Sequence, residues 1–176
     1  MIEAKLLGRN AIGVDINSEA VKLSNTNLNF TCQEKSKIFT KQGNASNLSF
    51  IKNASIDLIC THPPYADIIR YSEKISGDIS HLKYEEFLRE LEQIAGESYR
   101  VLKKGGICAF MIGDMRKKGY VLPLGMSSMQ KFVHTGFKLK EIIIKEQHNC
   151  KSAEYWENIE KAFLMLAHEY IFDLEK

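Results

Sequence analysis

Apolar runs of strand length alternate along this chain with stretches of helical period, an order that only layered folds built from strand–helix–strand units accommodate. NAIGVDI (10–16) reads as a first strand, SKIFTKQGNA (36–45) as a short strand running into a turn, and SIDLIC (55–60) and ICAFMIGD (107–114) as buried strands. SEAVKLSNTNL (18–28) reads as a helix with Ser18 as N-cap and Ala20, Leu23, Ser24 and Asn27 along one face. KYEEFLRELEQIAGESYRVLKKGG (83–106) sets Phe87, Leu88, Leu91, Ile94, Ala95 and Leu102 at helical intervals, with Gly105–Gly106 as its stop. PLGMSSMQKFVHTGF (123–137) opens with Pro123 at the first helical position and ends at Gly136. KLKEIIIKEQ (138–147) and AFLMLAHEYIFDL (162–174) are the last two strands. This succession predicts an α/β fold with a mostly parallel sheet. IEAKLLGRN (2–10) reads as an amphipathic helix ahead of the first strand. Such a helix normally returns from an earlier strand, so the chain is expected to begin inside a βαβ unit.

With 176 residues, 44% of them hydrophobic, and no linker, repeat or low-complexity tract, the chain is expected to form a single domain over 1–176. A net charge of +2, with basic and acidic residues mixed, neither announces nor excludes nucleic acid as a partner. The four cysteines show no CxxC pairing, and no apolar run approaches the roughly 18 residues of a membrane span. The expectation is a reduced, cytoplasmic protein that does not enter the membrane.

Two of the three prolines stand side by side in THPPY, directly after the buried strand 55–60. In open α/β sheets ligands bind at the carboxyl ends of strands. Successive prolines hold φ near about −65° and remove two amide donors, which leaves rigid carbonyl acceptors facing outward. His62, the Pro63 carbonyl and the Tyr65 ring together suit a planar heterocycle with an exocyclic amine. The plainer reading is a Pro-Pro strand terminator with a half-buried tyrosine. Asp15 ends the first strand, where a carboxylate can accept from both hydroxyls of a ribose. Its plainer role is to cap the next helix with Asn17 and Ser18.

HPPY resembles the [Asp/Asn/Ser]-Pro-Pro-[Tyr/Phe] motif of the S-adenosylmethionine-dependent amino methyltransferases that modify adenine N6 or cytosine N4 in DNA. EAKLLGRNAIGVDINSEAV resembles the segment that follows this family's glycine-rich loop, RVLKKGGICAFMIGD resembles its sheet-forming second half, and IIIKEQHNCKSAEYW with FLMLAHEYIF is similar to its end. The resemblance covers nearly the whole chain, in matching order. It implies a Rossmann-like class I methyltransferase fold whose final strands are antiparallel and whose first strand is missing. It implies S-adenosylmethionine as cofactor, bound by Asp15 and Asn44 with Ile16, Ala45 and Thr61 beside them. It implies that His62, Pro63, Pro64 and Tyr65 hold the target base of a DNA partner while the amine attacks the sulfonium methyl directly. Related Pro-Pro-Tyr motifs serve RNA and protein amides, and a catalytically silent DNA-binding module of the same fold is a further alternative.

Two departures from the family pattern matter. His62 stands where the family has Asp, Asn or Ser, and an imidazole accepts a hydrogen bond only while neutral, so activity is expected to collapse on mild acidification. The family's FxGxG loop and its strand should lie just before residue 1, so the chain is expected to be a truncated piece of a longer methylase or a member that has lost catalysis. The missing segment is therefore a candidate partner, and so is a restriction endonuclease. Phosphate contacts are expected from the 66–83 loop, with Arg70, Lys74 and Lys83, and from the turn holding Arg116, Lys117 and Lys118, for which a merely solvated turn is the competing reading. No metal site is expected, since His148 and Cys150 lack further ligands at short spacing. Tyr155 and Trp156 are read as loop anchors, and His168 beside Glu169 as a satisfied core histidine.

Overall fold

The computed structural model describes residues 1–73, 75–148 and 164–176. Its elements run α1 (Ile2–Leu6), β1 (Ala11–Asp15), α2 (Ser18–Asn27), β2 (Ile38–Gln42), β3 (Ile56–Thr61), α3 (Tyr84–Val101), β4 (Leu102–Ile112), β5 (Met115–Lys117), β6 (Tyr120–Leu122), α4 (Leu124–His134), β7 (Lys138–Glu146) and β8 (His168–Glu175). β1 pairs in parallel with β2. β3, β4, β8 and β7 form a second sheet in that order, with β3 parallel to β4, and β8 antiparallel to both β4 and β7. Only β8 is reversed within that sheet, in keeping with the mostly parallel sheet predicted from sequence and the antiparallel closing strands that the family resemblance implies. Among the described residues no helix is long and apolar enough to cross a membrane.

α3 forms because its apolar side chains recur at helical spacing, which buries Phe87, Leu88, Leu91 and Ala95 on one face. Its first turn is held by the Glu86 carboxylate, which accepts from the Lys83 backbone N–H at 3.3 Å. That face meets Phe110 of β4, Phe132 of α4 and Phe172 of β8, all fully buried. Each such ring is worth roughly 1.5–3 kcal/mol of burial, so this cluster sets where the sheet sits. α4 lies close on β8: a Cβ on Gly125 would fall 2.5 Å from Tyr170 Cδ2. Asp114 caps this approach, with Oδ1 accepting from the Gly125 N–H at 2.8 Å and Oδ2 from the Tyr170 hydroxyl at 3.1 Å.

β1 and β3 both rest on the small cluster of Leu48, Ile51 and Val101, through Val14 on one side and Ile56 and Ile59 on the other. No hydrogen-bonded pairing joins them. Among the described residues each therefore keeps one unpaired edge, and Leu58 of β3 is 57% exposed.

Several boundaries differ from the sequence reading. The 83–106 helix stops at Val101, not at the glycine pair, because Leu102 turns extended at ψ 142° and residues 102–106 join β4. There Gly105 N–H donates to the Lys176 carbonyl and Lys176 N–H to the Gly106 carbonyl, so the end of β8 draws this segment into the sheet. The N-cap of α2 is Asn17, whose side chain accepts from the Glu19 N–H, and Ser18 is already helical. Pro123 is the N-cap of α4 instead of its first helical residue. The expected 2–10 helix shortens to α1 with no buried residue, because no apolar layer covers it. Residues 164–167 are irregular, and β8 begins at His168. The 116–120 turn is a β-hairpin, β5–β6, with Lys118 and Gly119 at φ 52° and 86°.

Candidate active site

The carboxyl ends of β1 and β3 open onto one cavity of about 440 Å³. Asp15, Ile16, Asn44, Ala45 and Thr61, expected at a cofactor, all line it, as do His62, Pro63 and Pro64. The sequence reading thus brings eight of its residues to one place. Asp15 Oδ1 accepts from the Asn17 N–H at 2.8 Å, so the carboxylate steadies the β1–α2 turn, while its Oδ2 has no partner among the described residues. Asn44 Oδ1 accepts from the Ser46 N–H at 2.9 Å, which fixes the amide and leaves its Nδ2 without a partner among the described residues.

The 66–83 loop does more than the sequence reading assigns to it. Tyr71, Ser72, Asp78 and Ile79 form part of the cavity wall. Asp78 ties the loop together, accepting from Ser72 Oγ at 2.6 Å and from the Ser80 N–H at 2.9 Å. Partial burial pushes its carboxyl up, but these hydrogen bonds outweigh that and hold it below the ordinary carboxylate value. Gly77, at φ 87°, brings the loop against the cavity floor: a Cβ there would stand 3.1 Å from Asn44 Nδ2 and 3.2 Å from Ile16 Cδ1. No motif marks these residues, which is why sequence reasoning missed them.

Tyr65 is placed differently from its neighbours in the motif. It does not line the cavity; its ring lies edge-on to His62 with centroids 5.6 Å apart, and packs against Gly113. Its hydroxyl donates to Glu169 Oε1 and lies 3.1 Å from His62 Nε2. Burial first, then this bond and the Glu169 charge, push the phenol far above the ordinary tyrosine value, so it keeps its proton. Glu169, given no role of its own in the sequence reading, is buried at 5% exposure and also accepts from Lys145 Nζ at 2.5 Å. Burial pushes its carboxyl up, yet the bonds from Lys145, Tyr65 and Gln147 outweigh burial and keep it below the ordinary value, hence ionised. His168 has Nε2 3.1 Å from the Tyr170 hydroxyl, so it is satisfied as expected, but it is half-buried instead of in the core because it stands at the first position of β8.

The proposed phosphate contacts divide. Arg116 donates to the Gly119 and Leu164 carbonyls at 2.7 and 2.8 Å, and Lys117 lies 3.3 Å from Asp67. Arg70 and Lys118 have no ion-pair partner among the described residues. Lys74, Cys150, Tyr155 and Trp156 lie outside the described residues. No cluster of metal-ligating groups is present among the described residues, and His148 lies 3.5 Å from Glu146. Cys108 is no nucleophile: burial pushes its thiol up to about 12.

The geometry has parallels among known proteins. The chain is 27% identical over 117 residues to the orphan methyltransferase M.BamHII of Bacillus amyloliquefaciens, covering 65% of this chain and 39% of that one. It is 30% identical over 106 residues to the type II methyltransferase M.MjaVI of Methanocaldococcus jannaschii, covering 60% and 53%. The chain thus spans about half the length, or less, of these relatives. A candidate DNA modification methylase of Thermus thermophilus, solved in complex with S-adenosyl-L-methionine, superposes with a TM-score of 0.56 at 28% identity, over 76% of this chain and 51% of that one. The shared architecture is that of class I methyltransferases. The family profile for DNA methylases matches residues 56–176, from the start of β3 through the end of β8, and the chain belongs to that DNA methylase family.

Proposed function

We propose that these 176 residues carry the ribose-holding and base-holding walls of an S-adenosylmethionine-dependent DNA methyltransferase acting on the exocyclic amine of adenine (N6) or cytosine (N4). The observation that carries this reading is the convergence of Asp15, Asn44 and the His62–Pro63–Pro64 segment on one cavity of about 440 Å³. That volume lies within the range of small-molecule sites. The donor set fits the cofactor's nucleoside: Asp15 keeps a free carboxylate oxygen for ribose hydroxyls, and Asn44 keeps a free amide N–H for an adenine edge. Bound there, S-adenosylmethionine would supply an electrophilic methyl group on sulfur.

The chain's own residues then act on the target amine. His62 and the Pro63 carbonyl accept its two N–H bonds, which draws the nitrogen lone pair out of conjugation with the ring. The prolines hold those acceptors still, since neither can donate to a competing partner and both have fixed φ. Arg70 and Lys118 supply phosphate contacts, whose loss would weaken DNA binding without regard to sequence. The unpaired edges of β1 and β3 leave place for one further parallel strand between them, and a glycine-rich loop on such a strand would complete the cavity wall.

The test is methyl transfer from labelled cofactor to mixed-sequence DNA, followed by nucleoside analysis, with the chain alone and with an added N-terminal strand–loop–helix segment. The expected product is N6-methyladenine or N4-methylcytosine, lost on His62→Ala. Labelled RNA or protein in place of DNA would overturn the substrate assignment, and absence of transfer in both preparations would favour the silent DNA-binding module.

A further inference from the structure

The last two strands are wired to the HPPY motif through one buried carboxylate. Glu169 of β8 takes Lys145 of β7 on Oε2, takes the Tyr65 hydroxyl on Oε1, and receives a third bond from Gln147. Its Oε1 also lies 3.7 Å from His62 Nε2. An ionised carboxylate only accepts hydrogen bonds. The Tyr65 hydroxyl has a single proton and spends it on Glu169, so towards His62 the phenol oxygen is an acceptor. His62 Nε2, 3.1 Å away, must then bear the hydrogen. A neutral imidazole carries hydrogen on one nitrogen alone, which leaves the lone pair on Nδ1. Nδ1 has no partner among the described residues, and His62 stands on the cavity wall.

We propose that Glu169 is a positioning residue that acts through Tyr65 to lock neutral His62 in its Nε2–H tautomer, so that Nδ1 is the acceptor presented to a substrate amine. The use of that acceptor rests on the function proposed above; the lock itself does not. Lys145 serves the lock by keeping the carboxylate charged. In this arrangement Tyr65 is not a free stacking platform but the link that passes hydrogen-bond polarity from the sheet to the histidine. Reversing the polarity at Glu169 reverses it at His62. In Glu169→Gln the Lys145 ammonium still requires an acceptor and takes the amide oxygen, which leaves the NH2 group to donate to Tyr65. The phenol proton then turns to His62 Nε2, and the hydrogen moves to Nδ1.

The test is two-dimensional ¹H–¹⁵N NMR of the histidine rings in the 176-residue chain at a pH where His62 is neutral, with His62 assigned from His62→Ala. The expected wild-type pattern is a single tautomer, Nε2 protonated and Nδ1 not. Glu169→Gln should shift His62 toward the Nδ1–H form, and Tyr65→Phe should give a mixture of both forms. Backbone spectra otherwise matching wild type would show that both variants fold. A wild-type Nδ1–H tautomer, or a tautomer ratio unchanged in both variants, would overturn the proposal. The readout needs neither cofactor nor DNA. A locked tautomer in a protein that transfers no methyl group would count against the proposed function and leave the lock standing; methyl transfer with an unlocked histidine would do the reverse.

Discussion

Asp15→Ala separates a ribose-binding carboxylate from a mere helix cap, because the structure assigns the two roles very different magnitudes. In the protein Asp15 makes one bond, to the Asn17 N–H at 2.8 Å, in an exposed turn whose helix is capped independently by the Asn17 side chain. Losing it should cost about 0.5–1 kcal/mol, or a melting shift of no more than about 4 °C in a chain of this size. If Asp15 also accepts from two ribose hydroxyls, each bond to the charged group is worth about 1.5–3 kcal/mol. Together they amount to about 3 kcal/mol or more, a rise in Kd of about 100-fold or more. Calorimetric titration of S-adenosylmethionine into wild type and variant, with thermal melts alongside, reads both quantities. Asp15→Asn, which keeps one neutral acceptor, should fall between. A variant that melts normally and binds within about threefold of wild type would refute the ribose role and leave only the cap.

Four further outcomes follow from particular contacts. Gly77→Ala should destabilise the chain by about 1–2 kcal/mol, since φ 87° disfavours any side chain, and should weaken cofactor binding because its Cβ presses on Asn44 and Ile16; unchanged melting and binding would refute the loop's place on the cavity. Gly125→Ala ought to be stabilising by helix propensity alone, by about 1 kcal/mol, yet the 2.5 Å approach to Tyr170 should reverse the sign, and chemical denaturation showing a gain would contradict the α4–β8 packing. Because the folded carboxyl of Glu169 lies below its unfolded value, its contribution to stability is present above about pH 4.3 and is lost as pH falls through the lower folded value; denaturation from pH 7 down to 3 should show a shallower loss in Glu169→Gln than in wild type. His62→Ala should abolish methyl transfer, and transfer retained in a variant that stays folded would remove His62 as the acceptor.

The parts of the fold that were legible from sequence are those where one local pattern decides the outcome. The spacing of Phe87, Leu88, Leu91 and Ala95 specified α3, and the apolar-rich runs specified β3 and most of β4, although β3, expected buried, contains no buried residue because one of its edges is unpaired among the described residues. Boundaries set by distant partners were not legible. The glycine pair at 105–106 reads as a helix stop, but the backbone of Lys176, some 70 positions away, pulls that segment into β4. The site divides in the same way. Asp15 and the Pro-Pro pair announce themselves because they end strands, where open sheets bind ligands. Glu169 does not, since a single carboxylate in an apolar strand says nothing until Lys145, Gln147 and Tyr65 are brought around it. Gly77 likewise has meaning only through its contact with Asn44, 33 positions earlier.

One cavity, at the ends of β1 and β3, is proposed to hold both the cofactor's nucleoside and the amine acceptors. The most direct measurement is a residue-resolved ¹H–¹⁵N titration of the chain with S-adenosylmethionine, which reports where the ligand sits as well as whether it binds. Saturable shifts are expected to concentrate at residues 15–17, 43–45, 61–62 and the 71–79 loop, with half-saturation moved to about 100-fold higher ligand or beyond in Asp15→Ala. Shifts centred elsewhere, or none in a folded chain at millimolar ligand, would contradict that placement.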